Sequence, residues 1–188
     1  MISRHQFHPT ILREYNIRGV VGETLTSGDA YAVGRAFGAV VRRSGGRLAC
    51  VGYDGRVASP ELEAAVVQGL RECGITVWRI GIGPTPMLYF ATMMLAADAG
   101  LMVTGSHNPP NHNGFKMMLG RSAFFGPAIQ ELGRIAIAGA YADGPLGDVV
   151  ERLVFDNYVD RLLAGLEDAG RMGRPLTVAW DAGNGATG

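Results

Sequence analysis

The chemistry-bearing residues of this chain gather in one stretch, V-T-G-S-H-N-P-P-N-H-N-G-F-K-M-M, at positions 103–118. Between apolar, strand-like flanks it places Ser106, His107, Asn108, two prolines and then Lys116. An isolated serine hydroxyl is a poor nucleophile and needs a base, a positive environment or strain to react. His107 offers a proton donor or acceptor beside it, and Lys116 a fixed cation. Asn108 precedes Pro109 and Pro109 precedes Pro110, so both residues are biased to extended backbone and the loop is stiff. Inward-pointing N–H groups of residues 105–108 would form an anion nest. These ingredients fit a serine that carries a phosphoryl group. The competing reading is a surface turn, built on Asn111 and the Asn113-Gly114 pair, which tolerate positive φ.

Arg18 in E-Y-N-I-R-G and Arg56 in D-G-R join the set, because both sit where strands begin or end. A planar guanidinium grips phosphate bidentately; a surface ion pair is the alternative for each. His107 and His112 do not have the spacing of a metal pair, and no Cys or carboxylate lies in their segment to complete a zinc site. The sequence G-N-G-A-T-G at 183–188 matches G-x-G-x-x-G after a strand-like run. A dinucleotide site also needs a helix and an acidic residue about 20 positions on, so a tight strand-to-helix turn is the better reading.

The elements that must position these groups alternate along the chain. Strand-like runs at 17–22, 47–54, 75–81 and 100–105 are interleaved with helical spacing at 29–45, at 59–74 and after Thr85-Pro86. Asp29 or Ser27 caps the first helix; Ser59 caps the second, with Pro60 at its first position and Glu61 near its positive end. This alternation predicts a three-layer α/β/α domain with a mixed, mostly parallel sheet. The run at 114–120 follows its predecessor after a loop too short for a helical crossover, so it runs antiparallel. Gly126-Pro127 opens a further helix to about Gly139, and the Gly-rich segment 139–151 reads as an exit linker. A helix at 155–169 and a strand at 176–183 then begin a second unit, so the expected domains are 1–150 and a truncated 151–188. That last strand lacks sheet partners in the chain.

Composition narrows the function classes. Hydrophobic residues make up 47% and charged residues 18%, an ordinary globular balance. Seventeen Lys plus Arg cancel 17 Asp plus Glu, so no basic field points to nucleic acid. No apolar run approaches the ~18 residues of a membrane span, and the N-terminus has no signal-peptide core. Cys50 and Cys73 show no metal spacing and read as buried free thiols. A reducing cytoplasm fits all of this.

At these residues the chain resembles the α-D-phosphohexomutases of the phosphomannomutase/phosphoglucomutase group. R-E-Y-N-I-R-G-V-V-G-E-T-L-T resembles that family's entry strand, V-G-Y-D-G-R its second strand, and G-I-G-P-T-P-M-L-Y-F the segment after its third. T-G-S-H-N-P-P-N-H-N-G-F-K is similar to the phosphoserine loop, and V-A-W-D-A-G-N-G-A-T-G to the opening of the second domain. The likeness runs from residue 11 to residue 188. It implies a four-domain isomerase that interconverts hexose 6-phosphate and hexose 1-phosphate, of mannose or glucose type, through a hexose 1,6-bisphosphate. It further implies that Ser106 is the phosphoserine, with His107, Asn108 and Lys116 around it. Arg18 would reach it from the first strand, and Tyr15 and Arg56 would lie on the substrate or phosphate side. Mg²⁺ would bind a phosphoserine oxygen together with a carboxylate loop of the second domain, beyond this chain. Tyr53, Asn16, Asn111 and His112 depart from the family's commoner residues, and Gly105 leans toward mannose or glucose. The partners are small hexose phosphates, with no nucleic acid and no membrane. Two rival readings are a non-catalytic sugar-phosphate-binding module and a phosphoserine-based carrier or phosphatase.

Overall fold

Apolar runs that alternate with amphipathic stretches resolve into a layered sheet in the computed structural model, which describes residues 4–168 and 177–181. In chain order the elements begin with β1 (Ile17–Val20), α1 (Ser27–Arg43), β2 (Leu48–Tyr53), α2 (Ser59–Glu72), β3 (Thr76–Ile82) and α3 (Thr85–Met94). They continue with β4 (Ala99–Val103), β5 (His112–Leu119), β6 (Ser122–Phe124), α4 (Pro127–Ala138), β7 (Val149–Glu151) and α5 (Phe155–Asp168). The strand order is β1-β5-β4-β2-β3-β7, with β6 paired to β5. β5 is antiparallel to β1, β4 and β6, while β2 pairs in parallel with β3 and β4, and β3 with β7. Six of these seven strands therefore point one way and only β5 opposes them, as its short connection required.

Two apolar layers enclose the sheet. On one face Ile17, Val51, Val77, Leu101, Val103 and Phe115 pack against α1, α2 and α4. Phe37 of α1 meets Phe124 of β6 edge-on, with ring centroids 5.3 Å apart, a geometry that adds about 0.5–1.5 kcal/mol to the burial itself. On the other face Cys50, Ile80 and Met102 pack under Met87, Leu88 and Ala91 of α3. Helices α1 and α2 cross in contact: a Cβ on Gly34 would lie 2.3 Å from the carbonyl oxygen of Val66, and one on Gly69 2.4 Å from that of Tyr31. Only glycine permits that approach. Both cysteines are buried and free.

Several local details differ from the sequence reading. The N-cap of α1 is Thr26, not Ser27 or Asp29: its side chain accepts from the Asp29 N–H, and the Asp29 carboxylate accepts from the Thr26 N–H. Asp29 is thus the third position of a capping box. Ser59 is the first helical residue of α2 and not its cap, because its hydroxyl is engaged elsewhere. The segment 139–151 is more than a linker, since Val149–Glu151 adds β7 to the edge of β3. Helix α5 lies back on the α3 layer: Val154 just before it is buried, and Tyr158 packs on Phe90 with centroids 5.7 Å apart. Leu162, Leu163 and Leu166 remain exposed. Of the strand expected at 176–183, residues 177–181 have no regular structure, and the remainder, with the loop at 183–188, lies outside the described residues. Among the described residues no helix is long and apolar enough to cross a membrane.

Candidate active site

The serine loop leaves the carboxyl end of β4, where open α/β sheets bind their ligands. Its foundation is a carboxylate that sequence reasoning passed over. Asp54 follows β2, and its Oδ2 accepts from Thr104 Oγ1 at 2.9 Å and from the Gly105 N–H at 3.0 Å. Its Oδ1 accepts from Ser59 Oγ at 2.6 Å and from the Arg56 N–H at 3.2 Å. Ser59 Oγ in turn accepts from Nδ2 of the fully buried Asn113 at 2.8 Å. Thr104 Oγ1 then accepts from the Ser106 N–H at 2.9 Å. One chain of polar contacts therefore links β2, α2, β5 and Ser106.

Ser106 sits at φ +53°, and Ala96 is the only other non-glycine among the described residues at positive φ. A non-glycine residue in that region costs about 1–3 kcal/mol and persists only where its surroundings over-determine it. The Ser106 side chain is exposed, with Oγ 3.3 Å from His107 Nδ1. Asn108 folds its turn inward: its N–H and its Nδ2 both donate to the Gly105 carbonyl, at 3.1 and 3.0 Å. The Asn108 amide nitrogen is thereby committed to the loop itself.

Arg56 departs from the phosphate grip expected of it. Its Nη1 donates to the carbonyls of Pro109 (2.6 Å) and His112 (3.0 Å), and its Nη2 to those of Ser106 (3.0 Å) and Asn108 (2.7 Å). Its Nε lies 3.3 Å from Asp54 Oδ2. Both terminal nitrogens are thus engaged by backbone carbonyls, and the Nε edge faces the Asp54 carboxylate.

Arg18 and Lys116 are free for an anion. Arg18 pairs with Gly114, two residues from Lys116 on β5, so both side chains leave the same face of the sheet, the α3 side that Met102 also faces opposite Lys116. Arg18 is 9% exposed, and its Nε has no hydrogen-bond partner among the described residues. Burial, then repulsion from Arg13 and Arg56, lowers its pKa from the usual value. A buried guanidinium without a carboxylate is costly and marks a place where a ligand's negative charge would be stabilised. Lys116 likewise makes no ion pair among the described residues. It is also the only lysine among 17 basic residues, a compact, rotatable charge in a chain that otherwise uses arginine. That compositional signal was present in the sequence and went unread.

Tyr15 is 74% exposed and lies beside Phe125, with ring centroids 6.3 Å apart. Tyr15 comes just before β1 and Phe125 just after β6, so the two rings meet at the outer edge of β5, near the level of Lys116. The structure thus places Ser106, His107 and Asn108 in one loop with the Arg56 side chain reaching it from beyond β2, sets Arg18 and Lys116 on a neighbouring sheet face, and leaves Tyr15 at the rim. No group of three or more His, Cys, Asp or Glu poised for a metal occurs among the described residues. Both oxygens of Asp54 are already taken.

Comparison with known proteins agrees with this architecture. The family model for phosphoglucomutase/phosphomannomutase, alpha/beta/alpha domain I, matches residues 9–139. A phosphoglucomutase of Neisseria gonorrhoeae is 43% identical over 181 residues, covering 95% of this chain and 38% of that protein. A phosphomannomutase/phosphoglucomutase of Pseudomonas aeruginosa is 40% identical over 179 residues, with the same coverage. The crystal structure of a phosphoglucomutase/phosphomannomutase family protein from Burkholderia thailandensis superposes with a TM-score of 0.80 at 39% identity, over 85% of this chain and 36% of that one. The chain belongs to the phosphoglucomutase/phosphomannomutase family and carries its domain I. It spans 38% of the length of these curated relatives.

Proposed function

We propose that this chain is the phosphoserine-bearing domain of a phosphohexomutase that interconverts hexose 6-phosphate and hexose 1-phosphate, of mannose or glucose type. The observation that carries this reading is Ser106 itself: exposed and held at positive φ on a rigid loop, with two basic residues, Arg18 and Lys116, left without carboxylate partners on the adjoining sheet face. Residues 151–188 are read as the start of a second unit, although β7 already straddles position 150.

In the proposed reaction a sugar hydroxyl attacks the phosphorus of phospho-Ser106. The P–Oγ bond breaks, the hydroxyl proton leaves, and a hexose 1,6-bisphosphate forms. The sugar then presents its other phosphate, whose P–O bond breaks as the Ser106 oxygen takes the phosphoryl group back. Such transfers depend mostly on positioning and charge neutralisation. Lys116 and Arg18 offset charge on the transferring group. His107, within reach of Ser106 Oγ, orients the phosphoryl group or moves its proton. Asn108 shapes the turn through Gly105, and Tyr15 with Phe125 offers an aromatic surface to the sugar. Mg²⁺, when bound to the phosphoserine, supplies charge neutralisation; its other ligands are not among the described residues.

The test is Ser106→Ala in the full-length protein. Interconversion of hexose phosphates is expected to vanish while hexose phosphate binding survives. Undiminished turnover would end the assignment. The isolated chain is expected to fold without turning over.

A further inference from the structure

The Arg56 side chain is 17% exposed, and its guanidinium turns into the serine loop, against the loop's own carbonyls. Four of them, from Ser106, Asn108, Pro109 and His112, converge on its two terminal nitrogens. Because a peptide is planar and trans, each inward carbonyl directs the following N–H to the opposite side. After Ser106 that N–H belongs to His107, which is therefore turned away from Arg56. After Asn108 and Pro109 the next residues are Pro109 and Pro110, which have no N–H. The Pro-Pro pair thus lets two carbonyls turn inward without leaving two amide donors stranded outside. Gly105 makes the seat possible, since a Cβ there would lie 2.2 Å from Arg56 Nε and 2.3 Å from Cζ.

We propose that Arg56 is the positioning residue of the loop: it holds Ser106 in its left-handed conformation, hydroxyl exposed and His107 N–H outward, without touching the phosphoryl group. The proposal deepens the reading of Ser106 as the phosphoryl carrier and rests on it. Arg56 supplies the constraint that a serine at φ +53° requires. Its charge lies on the carbonyl side of the loop, where it neutralises converging oxygen dipoles rather than substrate. Lysine cannot replace it: an ammonium has three donors and no planar fork, against five fixed directions here.

The experiment compares Arg56→Lys and Arg56→Ala with the wild type at two levels. In the 188-residue chain, NMR reads the Ser106 φ-dependent coupling and amide exchange at 105–114. In the full-length protein, steady-state kinetics read kcat and KM for hexose phosphate. The Lys variant is expected to keep the far-UV spectrum, lose the positive-φ signature, and lose about 10²-fold in kcat, as a misplaced reacting group does. KM should stay within about twofold, because no substrate contact is removed. Added guanidinium is expected to restore part of the loop order and kcat in Arg56→Ala, and ammonium to restore none. An unchanged Ser106 coupling in either variant overturns the proposal. So does a raised KM at constant kcat, which would make Arg56 a substrate grip. Wild-type protein that never takes phosphate onto Ser106 from a hexose 1,6-bisphosphate would remove the underlying reading instead. A Lys variant phosphorylated as fast as wild type would overturn the positioning role alone.

Discussion

Asp54→Asn is the substitution that most sharply separates a loop built on polar contacts from one held by packing. The two carboxylate oxygens accept four hydrogen bonds, from Ser59, the Arg56 N–H, Thr104 and the Gly105 N–H. Asparagine keeps the shape but turns one acceptor into a donor. The hydroxyls of Ser59 and Thr104 can rotate to accommodate it; the backbone N–H groups cannot. Whichever way the amide is placed, Arg56 N–H or Gly105 N–H faces an NH₂. One stranded donor costs about 1–3 kcal/mol, and the loss of charge weakens the remaining bonds and the contact with Arg56 by a comparable amount. The sum is about 3 kcal/mol, which for a chain of this size lowers Tm by about 6–12 °C. Thermal unfolding followed by circular dichroism checks it, with Asp54→Ala as a second variant. A Tm within about 2 °C of wild type, where 1 kcal/mol would already show, refutes the claim that Asp54 anchors the loop.

Two further outcomes follow from the same geometry. Ser106→Gly removes the only side chain strained at positive φ in the loop, so Tm is expected to rise by a few degrees, about 1 kcal/mol, while phosphate uptake at this position disappears; a fall in Tm would show that Ser106 is not strained. Burial pushes the Glu72 carboxyl up, but hydrogen bonds from Tyr31 and Gln68 and the charge of Arg35 outweigh it and hold the folded value below the usual 4.5. The stability that Glu72 contributes is therefore complete above pH 4.5 and lost as pH falls through its folded value. Glu72→Gln should be less stable than wild type at pH 7 and should lose less stability on acidification, read from urea unfolding between neutral and acid pH. Parallel pH profiles would refute that linkage.

The layered α/β plan was legible because long apolar runs and helical spacing both carry clear periodicity. The antiparallel β5 was legible for a second reason, the shortness of the loop before it. β6 and β7 were not, since each is three residues long and shows no period of its own. Val149–Glu151 becomes a strand only because β3 offers it an unpaired edge. Within the site, Ser106 announced itself through its stiff loop, and the family resemblance assigned its neighbours. Arg56 was visible as a candidate, but that its guanidinium meets the loop's own carbonyls was not. A guanidinium suits a ring of carbonyls as well as it suits a phosphate, and only the fold shows which of them surrounds it. Asp54 was missed for a related reason: an Asp-Gly pair looks like an ordinary turn until Thr104, 50 residues later, is placed against it.

The central claim is that Ser106 carries the phosphoryl group through the reaction. Its most direct test is peptide-resolved mass spectrometry of the full-length protein after incubation with a hexose 1,6-bisphosphate, beside its Ser106→Ala variant. Phosphate is expected on Ser106 and is lost on addition of hexose monophosphate, and the variant is expected to show no hexose phosphate interconversion. Phosphate on another residue, or full turnover without Ser106, would contradict the claim.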